Sequence, residues 1–243
     1  MHKVGIIGFG KMGQIREKII SSMNDIEVKL IFDPEISHTQ IRQAKSAGEI
    51  LENPEIDSVI ICTPNYLNKS LTIKALVEGK NVFCEKPPAF NEQDVIEIKS
   101  YEESSKKILM YGFNHRYHGS ILKMKELVDS KEYGDILWMR GRYGKSVDQN
   151  FFTNWRANKE LSGGGILIDQ GIHMLDLFLY LGGDFDKIHA SVSNLYWNLS
   201  VEDNVFATLE NSKTGMVASL HSTMTQWRHL FSIEVFLQKG YFV

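Results

Sequence analysis

The sequence has few of the residues that mark a disulfide-bonded or membrane-embedded protein. Only 2 of its 243 residues are cysteine, and 5 are proline. Cys62 and Cys84 each end an apolar run, so we expect buried free thiols in a reducing compartment instead of a disulfide framework. No apolar run is long enough to cross a bilayer, and residues 4–8 read as a strand, not as a signal peptide. We therefore expect a cytoplasmic protein with no membrane partner.

The chain also lacks a strong charge of either sign. It carries 27 basic and 30 acidic residues, for a formal net charge of −3. This balance gives no support for a nucleic-acid partner. No set of metal ligands with suitable spacing stands out, so no metal is predicted. The hydrophobic content of 43% and the charged content of 23% are ordinary for a globular protein of one large or two medium domains.

A glycine-rich turn follows the first predicted strand, residues 4–8. Gly8, Gly10 and Gly13 stand in the spacing G-x-G-x-x-G. Apolar residues then recur at helical spacing (Met12, Ile15, Ile19, Met23). Glycines between a strand and a helix allow a tight turn, the close approach of a pyrophosphate, and helix-to-strand packing. The helix amino terminus then offers N–H groups to the phosphates. The pattern predicts a dinucleotide site.

An acidic residue supports the same prediction. Residues 27–32 read as a second strand, and Asp33 follows directly. A carboxylate there can accept hydrogen bonds from adenosine ribose hydroxyls and would repel a 2′-phosphate, so NAD is favoured over NADP. Two alternatives stay open: Asp33 could merely begin a turn, and His38 or Arg42 could fold back toward a phosphate.

Strands and helices continue to alternate through residues 1–116. Strands are predicted at residues 57–62, 80–84 and 107–112, with helices at residues 71–79 and 92–105. Such alternation predicts a Rossmann-type, doubly wound parallel sheet. Lys86 follows one of these strands in the turn Glu85-Lys86-Pro87, at the carboxyl edge where such sheets bind ligands. A lysine held there by proline is suited to proton chemistry.

Residues 117–243 read as a second α/β domain. A helix is predicted at residues 117–130 and a strand at 135–143, on which Arg140 and Arg142 share one face. That face could meet substrate phosphates or, more simply, face solvent. Strands at residues 188–197, 204–209, 216–224 and 231–237 predict an antiparallel sheet. We expect its exposed face to bury against another subunit in a homo-oligomer.

A second cluster of polar residues follows Gly163, Gly164 and Gly165, which would permit a close backbone approach to nicotinamide or substrate. Asp169 and His173 stand four residues apart, so a helix would project them into one space. A hydrogen-bonded core histidine is the ordinary interpretation of an isolated His173. With Asp169, the glycines and Lys86, an active-site role is favoured, whereas Asp176 reads as structural.

These motifs together resemble the Gfo/Idh/MocA oxidoreductase family. The family's motifs match the glycine turn, Asp33, the T-P-N turn at residues 63–65, the E-K-P motif at 85–87, the W-R pair at 155–156 and the signature at residues 163–176. The resemblance implies an NAD(P)-dependent dehydrogenase or reductase that acts on a CH–OH group of a sugar, cyclitol or nucleotide-sugar. It also implies a C-terminal domain with a large open, mostly antiparallel sheet.

The resemblance and the chemistry together give a set of predicted site residues. His173 would be the general base, Lys86 would stabilise the developing alkoxide, and Asp169 would fix the imidazole or a substrate hydroxyl. Lys86 and His173 could exchange these roles. The cofactor set is Gly8, Phe9, Gly10, Lys11, Met12, Gly13, Asp33, Thr63, Pro64, Asn65, Glu85 and Lys86. The substrate set is Lys86, Arg116, Trp155, Arg156, Asp169 and His173.

Two departures from the family pattern leave an alternative open. Many relatives carry a histidine where this chain has Asn68. Family members also run on beyond the position of Val243, so the second domain is expected to be incomplete. The alternative is a catalytically silent, nicotinamide-sensing regulatory or scaffold protein of the same fold. The presence of Lys86, Asp169 and His173 favours the enzyme.

Overall fold

The computed structural model describes residues 1–36 and 40–243. These residues form two compact units, Met1–Gly112 and Phe113–Val243. The limit between the two domains is predicted from the sequence after residue 116. The difference concerns the short 3-10 helix Asn114–Tyr117, which belongs to the second unit because Arg116 is held there by Asp176.

The first unit is built on a five-stranded parallel sheet with the strand order β2-β1-β3-β4-β5. The strands are β1 (His2–Ile7), β2 (Ile26–Phe32), β3 (Ser58–Ile61), β4 (Asn81–Cys84) and β5 (Leu109–Tyr111). The helices are α1 (Lys11–Ile20), α2 (Ala47–Leu51), α3 (Asn65–Val77) and α4 (Glu92–Ser105). The strand order reverses between β1 and β3, which is where open sheets of this type bind ligands.

The register of the sheet brings the carboxyl ends of its strands to one edge. Ile7 pairs with Phe32 on β2 and with Ile61 on β3. Cys84 pairs with Ile61 on one side and with Tyr111 on the other. The residues that follow the five strands therefore lie along a single edge, as parallel pairing requires. We call this edge, from Gly8 to Gly112, the carboxyl edge.

The helices of the first unit begin and end where the sequence supplies caps. Ser46 caps α2 and Asn91 caps α4, each by accepting a hydrogen bond from the N–H three residues later. Gly79, with a φ of +70°, follows the end of α3. A core of branched apolar residues lies between the helices and the sheet (Leu30, Ile50, Leu51, Val59, Ile61, Leu76, Val82).

The second unit is built on a six-stranded sheet with the order β11-β10-β6-β9-β8-β7. The strands are β6 (Ile136–Gly144), β7 (Lys187–Ser193), β8 (Asn204–Glu210), β9 (Val217–Thr223), β10 (Leu230–Leu237) and β11 (Gly240–Phe242). The β6–β9 pair is parallel and the other pairs of neighbours are antiparallel. The predicted fold class, a parallel Rossmann sheet followed by a mostly antiparallel sheet, is confirmed.

Helices cover one face of this second sheet. They are α5 (Gly119–Asp129) and α7 (Ile172–Gly182), with a π-helical turn at Leu167–Gly171 directly before α7. The short helix α6 (Lys159–Ser162) and 3-10 turns at Gln149–Thr153 and Trp155–Ala157 lie between β6 and that turn in the sequence. Gly141 lets α7 lie directly on β6, because a Cβ there would come within 2.3 Å of Met174. Arg140 and Arg142 alternate with the residues that face α7, so they project from the opposite, open face.

Both cysteines are free thiols, and Cys84 is fully buried. Burial, with the nearby Glu85 carboxylate, raises the pKa of Cys62 to about 12, and burial also raises the pKa of Cys84. Neither is a nucleophile near neutral pH. Within residues 1–36 and 40–243, none of the helices has the length and apolar character that a membrane span requires.

A buried carboxylate holds the loop between β7 and β8. Asp203 is fully buried and accepts hydrogen bonds from the N–H groups of Leu195, Tyr196 and Trp197 at 2.8 to 3.0 Å. Burial alone would raise the pKa of Asp203, but these hydrogen bonds and one from Asn204 outweigh it and lower the pKa. The loop backbone therefore depends on one ionised side chain.

We predict that Asp203→Ala destabilises the second unit by about 1–3 kcal/mol at neutral pH, because three partly buried hydrogen bonds from backbone N–H groups to a charged acceptor are lost. All 4 tryptophans of the chain lie in this unit, so tryptophan fluorescence during urea unfolding measures it. The folded pKa of Asp203 lies below the unfolded value of about 3.9, so its stabilisation is complete above that pH and disappears as the pH falls through the folded pKa.

The control for this prediction is Asp184→Ala, which removes an exposed carboxylate and should change the unfolding free energy by less than about 0.5 kcal/mol. A deficit of Asp203→Ala that stays constant down to the acid limit would show that the carboxylate charge is not what holds the loop.

Candidate active site

Each of the three glycines in the turn after β1 is needed at its position for a different reason. Gly8 has a φ of +88°, and a Cβ there would lie 2.5 Å from the Cys62 carbonyl oxygen. A Cβ at Gly13 would lie 2.2 Å from the Gly8 carbonyl oxygen. These two glycines are required by the fold itself. A Cβ at Gly10 would meet no protein atom within 4 Å, so the space over Gly10 is open to a ligand.

The amino terminus of α1 faces this turn with its backbone donors. Gly10 is the N-cap residue, with no side-chain cap and no acidic residue in the first turn. The first helical hydrogen bond is from Gln14 N–H to Gly10 C=O, so the N–H groups of Lys11, Met12 and Gly13 have no partner within the helix. Such an end binds anions through its donors and its dipole. The turn fits a pyrophosphate.

Asp33 ties the end of β2 to the glycine turn. Its Oδ2 accepts a hydrogen bond from Phe9 N–H at 2.7 Å, and its Oδ1 accepts one from Glu35 N–H at 2.9 Å. The Phe9 side chain is buried in the core, so its predicted role toward a cofactor could come only from the backbone. A carboxylate has about four acceptor positions, so Asp33 can still accept from ribose hydroxyls. Arg42 is exposed, and His38 lies outside the described residues.

The turn that carries Lys86 begins with an ion-paired glutamate. Arg16 of α1 donates to Glu85 Oε1 from Nε at 3.0 Å and from Nη2 at 2.6 Å. Both side chains are mostly buried, and the Arg16 guanidinium lies over the Phe83 ring. Gly112 leaves room for the glutamate, because a Cβ there would lie 2.7 Å from Glu85 Oε2. The Lys86–Pro87 peptide bond is cis.

The turn after β3 contacts the Lys86 turn from the other side. Pro64 is the N-cap residue of α3, and Asn65 is buried at its start. The Thr63 hydroxyl donates to Asn68 Oδ1 at 3.2 Å. Asn68 is itself fully buried and donates to the carbonyl oxygens of Glu85 and Pro87. The structure thus brings the predicted residues of the β1, β3 and β4 turns together at the carboxyl edge.

In the second unit, the stretch Gly163–Gly165 is shaped by Glu202. The Glu202 carboxylate accepts hydrogen bonds from Gly165 N–H at 2.7 Å and from Leu167 N–H at 3.1 Å. Its backbone oxygen accepts one from Ile166 N–H. A Cβ at Gly165 would lie 2.0 Å from that backbone oxygen. The close approach that the sequence analysis assigned to nicotinamide or substrate is made at Gly165 by the protein's own Glu202.

Asp169 lies in the π-helical turn that follows, between two cations. Its carboxylate receives a hydrogen bond from Lys145 Nζ and lies 3.5 Å from Arg156 Nε. The Arg156 guanidinium stacks over Trp155 at 4.2 Å from the ring centroid. The predicted residues Asp169, Trp155 and Arg156 are therefore in one cluster. A π-helical turn inside an α-helix is a frequent feature of functional sites.

His173 is the second residue of α7 and is 6% exposed. Its ring centroid lies 4.1 Å from that of His115 and 6.3 Å from that of Tyr143. Burial, with the nearby Asp169 charge, raises the pKa of the Tyr143 phenol, which keeps it protonated near neutrality. The imidazole thus lies against an aromatic wall in which Tyr143 is neutral.

Asp176 is buried in α7 and pairs with Arg116, and its structural role stays a prediction. The Arg116 guanidinium forms a two-point hydrogen bond with its buried carboxylate, with Nε to Oδ2 at 2.8 Å. This fork geometry is strong and directional. Arg116 was predicted in the substrate set, and two of its five N–H donors are used on Asp176.

Arg140 and Arg142 lie on the open face of the second sheet. Arg140 pairs with Glu234 at 2.6 Å, and Arg142 on β6 lies opposite His221 on β9. Burial and the Arg142 charge lower the pKa of His221. Of the two alternatives for this face, a substrate contact stays untested, and the Arg140–Glu234 pair accounts for one of the two arginines.

Sequence reasoning missed several residues at these turns, among them Arg16, Lys145, Glu202 and His115. Arg16 reads as one more charge on the polar face of a helix, and Glu202 stands far from the glycines that it holds. Only His115 could have been singled out from the sequence as a site candidate, because it stands beside Arg116 in the aromatic stretch before α5. None of these partners could be assigned without the fold.

Comparison with known proteins agrees with this architecture. Residues 2–113 match the family model described as "Oxidoreductase family, NAD-binding Rossmann fold", and residues 121–243 match the one described as "GFO/IDH/MocA C-terminal domain". A crystal structure of levoglucosan dehydrogenase with NADH is similar over 99% of this chain and 72% of that one, with a TM-score of 0.91 and 25% identity.

Two curated relatives show how much of a longer protein the chain matches. D-glucoside 3-dehydrogenase of Escherichia coli is 31% identical over 245 residues, which cover 88% of this chain and 68% of that protein. Levoglucosan dehydrogenase of Pseudarthrobacter phenanthrenivorans is 28% identical over 208 residues, covering 78% of this chain and 53% of that protein. The chain thus spans between about half and two thirds of these relatives. It belongs to the Gfo/Idh/MocA family of oxidoreductases with an NAD-binding Rossmann fold, as its motifs predicted.

Proposed function

We propose that the chain carries the active site of an NAD-dependent oxidoreductase. Its reaction would transfer a hydride between nicotinamide and a secondary alcohol or carbonyl carbon of a sugar, cyclitol or nucleotide-sugar. One observation carries the proposal: the open glycine turn at Gly10 and the Lys86 turn share the carboxyl edge of one sheet, joined by the Arg16–Glu85 pair. The relatives named as sugar dehydrogenases support the substrate class.

The residues at the carboxyl edge fit the cofactor. The N–H groups of Lys11, Met12 and Gly13 would bind the pyrophosphate, and the bare backbone at Gly10 would let it approach. Asp33 would accept from the adenosine ribose. Thr63, Pro64, Asn65 and Glu85 would shape the walls of the same crevice. The bound nicotinamide would supply the hydride chemistry, and the protein has to orient the substrate and manage the proton.

The proton chemistry is assigned to Lys86, His173 and Asp169. As an ammonium, Lys86 would donate to the substrate oxygen and stabilise its alkoxide character. His173 would take the hydroxyl proton as general base, a role typically worth about 10²–10⁴-fold in rate. Lys86 and His173 could exchange these two roles. Asp169, held by Lys145, would orient the imidazole or a neighbouring substrate hydroxyl.

The remaining predictions keep the status of proposals. Trp155, Arg156 and Arg116 would contact the substrate, with Arg156 already placed over Trp155. A homo-oligomer would form through the open face of the second sheet, where Phe206 is half exposed. A cytoplasmic location agrees with the two free thiols.

The glycine turn gives a paired prediction. Gly10→Ala should fold normally, because Gly10 has a φ of −66° and a ψ of −160° and open space where a Cβ would stand. It should nevertheless weaken NADH binding by about tenfold or more, since 1.4 kcal/mol of lost contact has that effect. Gly13→Ala should instead lower the melting temperature, because its Cβ would collide with the Gly8 carbonyl. Circular dichroism melting measures the stability of each variant, and fluorescence titration measures its affinity for NADH.

The result that contradicts the pyrophosphate assignment is a Gly10→Ala protein that melts and binds NADH like the original chain.

The carboxylate of Asp33 should set the preference for NAD. Asp33→Asn keeps one acceptor oxygen for Phe9 N–H but loses the charge that repels a 2′-phosphate. We expect NADH affinity to fall and NADPH affinity to rise, so that the ratio of the two dissociation constants shifts by about tenfold. Fluorescence titration with each nucleotide measures the ratio. Glu35→Gln, two residues on, is the control for a general loss of negative charge, and an equal shift there would remove Asp33 from cofactor selection.

The catalytic assignment is tested by Lys86→Met and His173→Ala. Each should retain NADH binding and lose turnover by about 10²-fold or more, because each removes a group that acts on the transferred proton. Absorbance of the reduced nicotinamide, with a panel of sugars, cyclitols and nucleotide-sugars, measures turnover. The exposed Lys99→Met and His189→Ala are matched controls.

Unchanged turnover in either active-site variant would remove that residue from the mechanism. NADH binding without reaction across the whole panel would favour the nicotinamide-sensing alternative instead.

A further inference from the structure

Asn68 is a buried side chain whose contacts converge on the backbone of one turn. It lies in the first turn of α3 and is fully buried. Its Nδ2 donates to the Pro87 carbonyl at 2.8 Å and to the Glu85 carbonyl at 3.2 Å. These two carbonyls flank Lys86 on its two sides. The side chain therefore forms hydrogen bonds with the carbonyl groups of the residues directly before and directly after the proposed catalytic lysine.

The hydrogen-bonding capacity of this amide is matched to its surroundings. A primary amide has two N–H donors and a carbonyl acceptor. The two donors are taken by the two turn carbonyls, and Oδ1 accepts from the Thr63 hydroxyl at 3.2 Å. The Thr63 bond fixes which way the amide faces, because it places the oxygen on the side of the β3 turn. The donors are then directed at the Lys86 turn.

The helix that carries Asn68 is itself packed into the core. The helix α3 continues into the core through Ala75 and Leu76, both fully buried against the sheet. On the far side of the Lys86 turn, the Arg16–Glu85 ion pair holds the preceding side chain. The turn is thus fixed at two backbone carbonyls by one helix and at one side chain by another.

We propose that Asn68 is a positioning residue that sets the direction of Lys86 by holding the carbonyls on either side of it. The inference deepens the proposed function, since it takes Lys86 as the catalytic lysine. Asn68 acts through Lys86 and is assigned no contact with substrate. A buried amide could equally contribute only to stability, so the test has to separate the two roles.

The chain offers a matched control at the other end of the same strand. Lys80, just before β4, is also buried and also donates to two backbone carbonyls, those of Asn53 at 2.6 Å and Ile56 at 2.8 Å. Losing it removes the same kind of interaction from the same unit. It lies at the amino end of β4, whereas Lys86 follows the carboxyl end.

The experiment compares Asn68→Asp, Asn68→His and Lys80→Met in the full chain. Aspartate keeps the size of asparagine but replaces the NH2 group, which supplies both donors, by a carboxylate oxygen that repels the two carbonyls. We expect kcat to fall by about 10²-fold, since a displacement of the order of 1 Å has that effect. The NADH dissociation constant should be unchanged. The isotope effect on kcat with a carbon-deuterated substrate should increase, because the chemical step is the one that is slowed.

Asn68→His retains one ring N–H donor and should recover part of the loss. Lys80→Met should lower the melting temperature at least as much as Asn68→Asp and leave kcat unchanged below the transition. If Asn68→Asp lowers only the melting temperature and leaves kcat and the isotope effect as they were, Asn68 is structural and the inference fails.

A second measurement does not depend on turnover. Hydrogen exchange of the peptide that covers residues 84–92 should be faster in Asn68→Asp and unchanged in Lys80→Met, because only the first releases the Lys86 turn. Equal exchange in both would overturn the inference. Faster exchange, in a protein that turns over no sugar, cyclitol or nucleotide-sugar, would instead support the positioning of the Lys86 turn by Asn68 and refute the proposed function.

Discussion

The register of the parallel sheet is the constraint on which the candidate site in the first unit depends. Ile7, Ile61 and Cys84 are aligned across β1, β3 and β4, so the turns that follow these strands start at the same level. Because side chains alternate between the two faces of a strand and both faces of β1 are packed, a slip by one residue would move each buried side chain out of its own apolar cluster and into the opposite one. The apolar core therefore fixes the register. The register in turn decides that the glycine turn, the Thr63 turn and the Lys86 turn adjoin one another.

Alignment brings these turns close, and specific contacts then hold them. Asp33 holds the glycine turn through Phe9 N–H, and Arg16 holds Glu85. The Arg16–Glu85 pair is mostly buried, and removing one partner of such a pair typically costs about 3–5 kcal/mol because a charge is left without compensation. The helix that would bind the pyrophosphate is thus coupled to the turn of the proposed catalytic lysine. Cofactor site and lysine are two ends of one hydrogen-bonded assembly.

The sequence predicted the parts of this assembly that have a local signature. The spacing of Gly8, Gly10 and Gly13 between a strand and a helix, the acid after the second strand, and the alternation of elements could all be seen without coordinates. The helix at residues 92–105 was predicted with the bounds that the structure has, since Asn91 and an acidic first turn mark its start. The strands predicted at residues 188–237 indicated an antiparallel second sheet, and the family resemblance implied a mostly antiparallel one.

The parts without a local signature could not be predicted. Asn68 bonds to carbonyls 17 and 19 residues away, and a backbone carbonyl has no identity in a sequence. Gly165 was interpreted as an opening for a ligand because nothing in the sequence shows Glu202 beside it. The π-helical turn at Leu167–Gly171 breaks the regular spacing that was assumed between Asp169 and His173. Each of these depends on a pairing between distant segments, which only the tertiary fold specifies.

In both units, the segment with the proposed catalytic residues is held by hydrogen bonds between its backbone and a polar side chain from elsewhere in the chain. In the first, the Asn68 amide takes the carbonyls beside Lys86. In the second, the Glu202 carboxylate accepts from Gly165 N–H and Leu167 N–H at the start of the segment that carries Asp169 and His173. In both, one polar side chain from elsewhere in the chain satisfies backbone groups that would otherwise be costly to bury. The backbone under each proposed catalytic group is therefore anchored by residues other than that group.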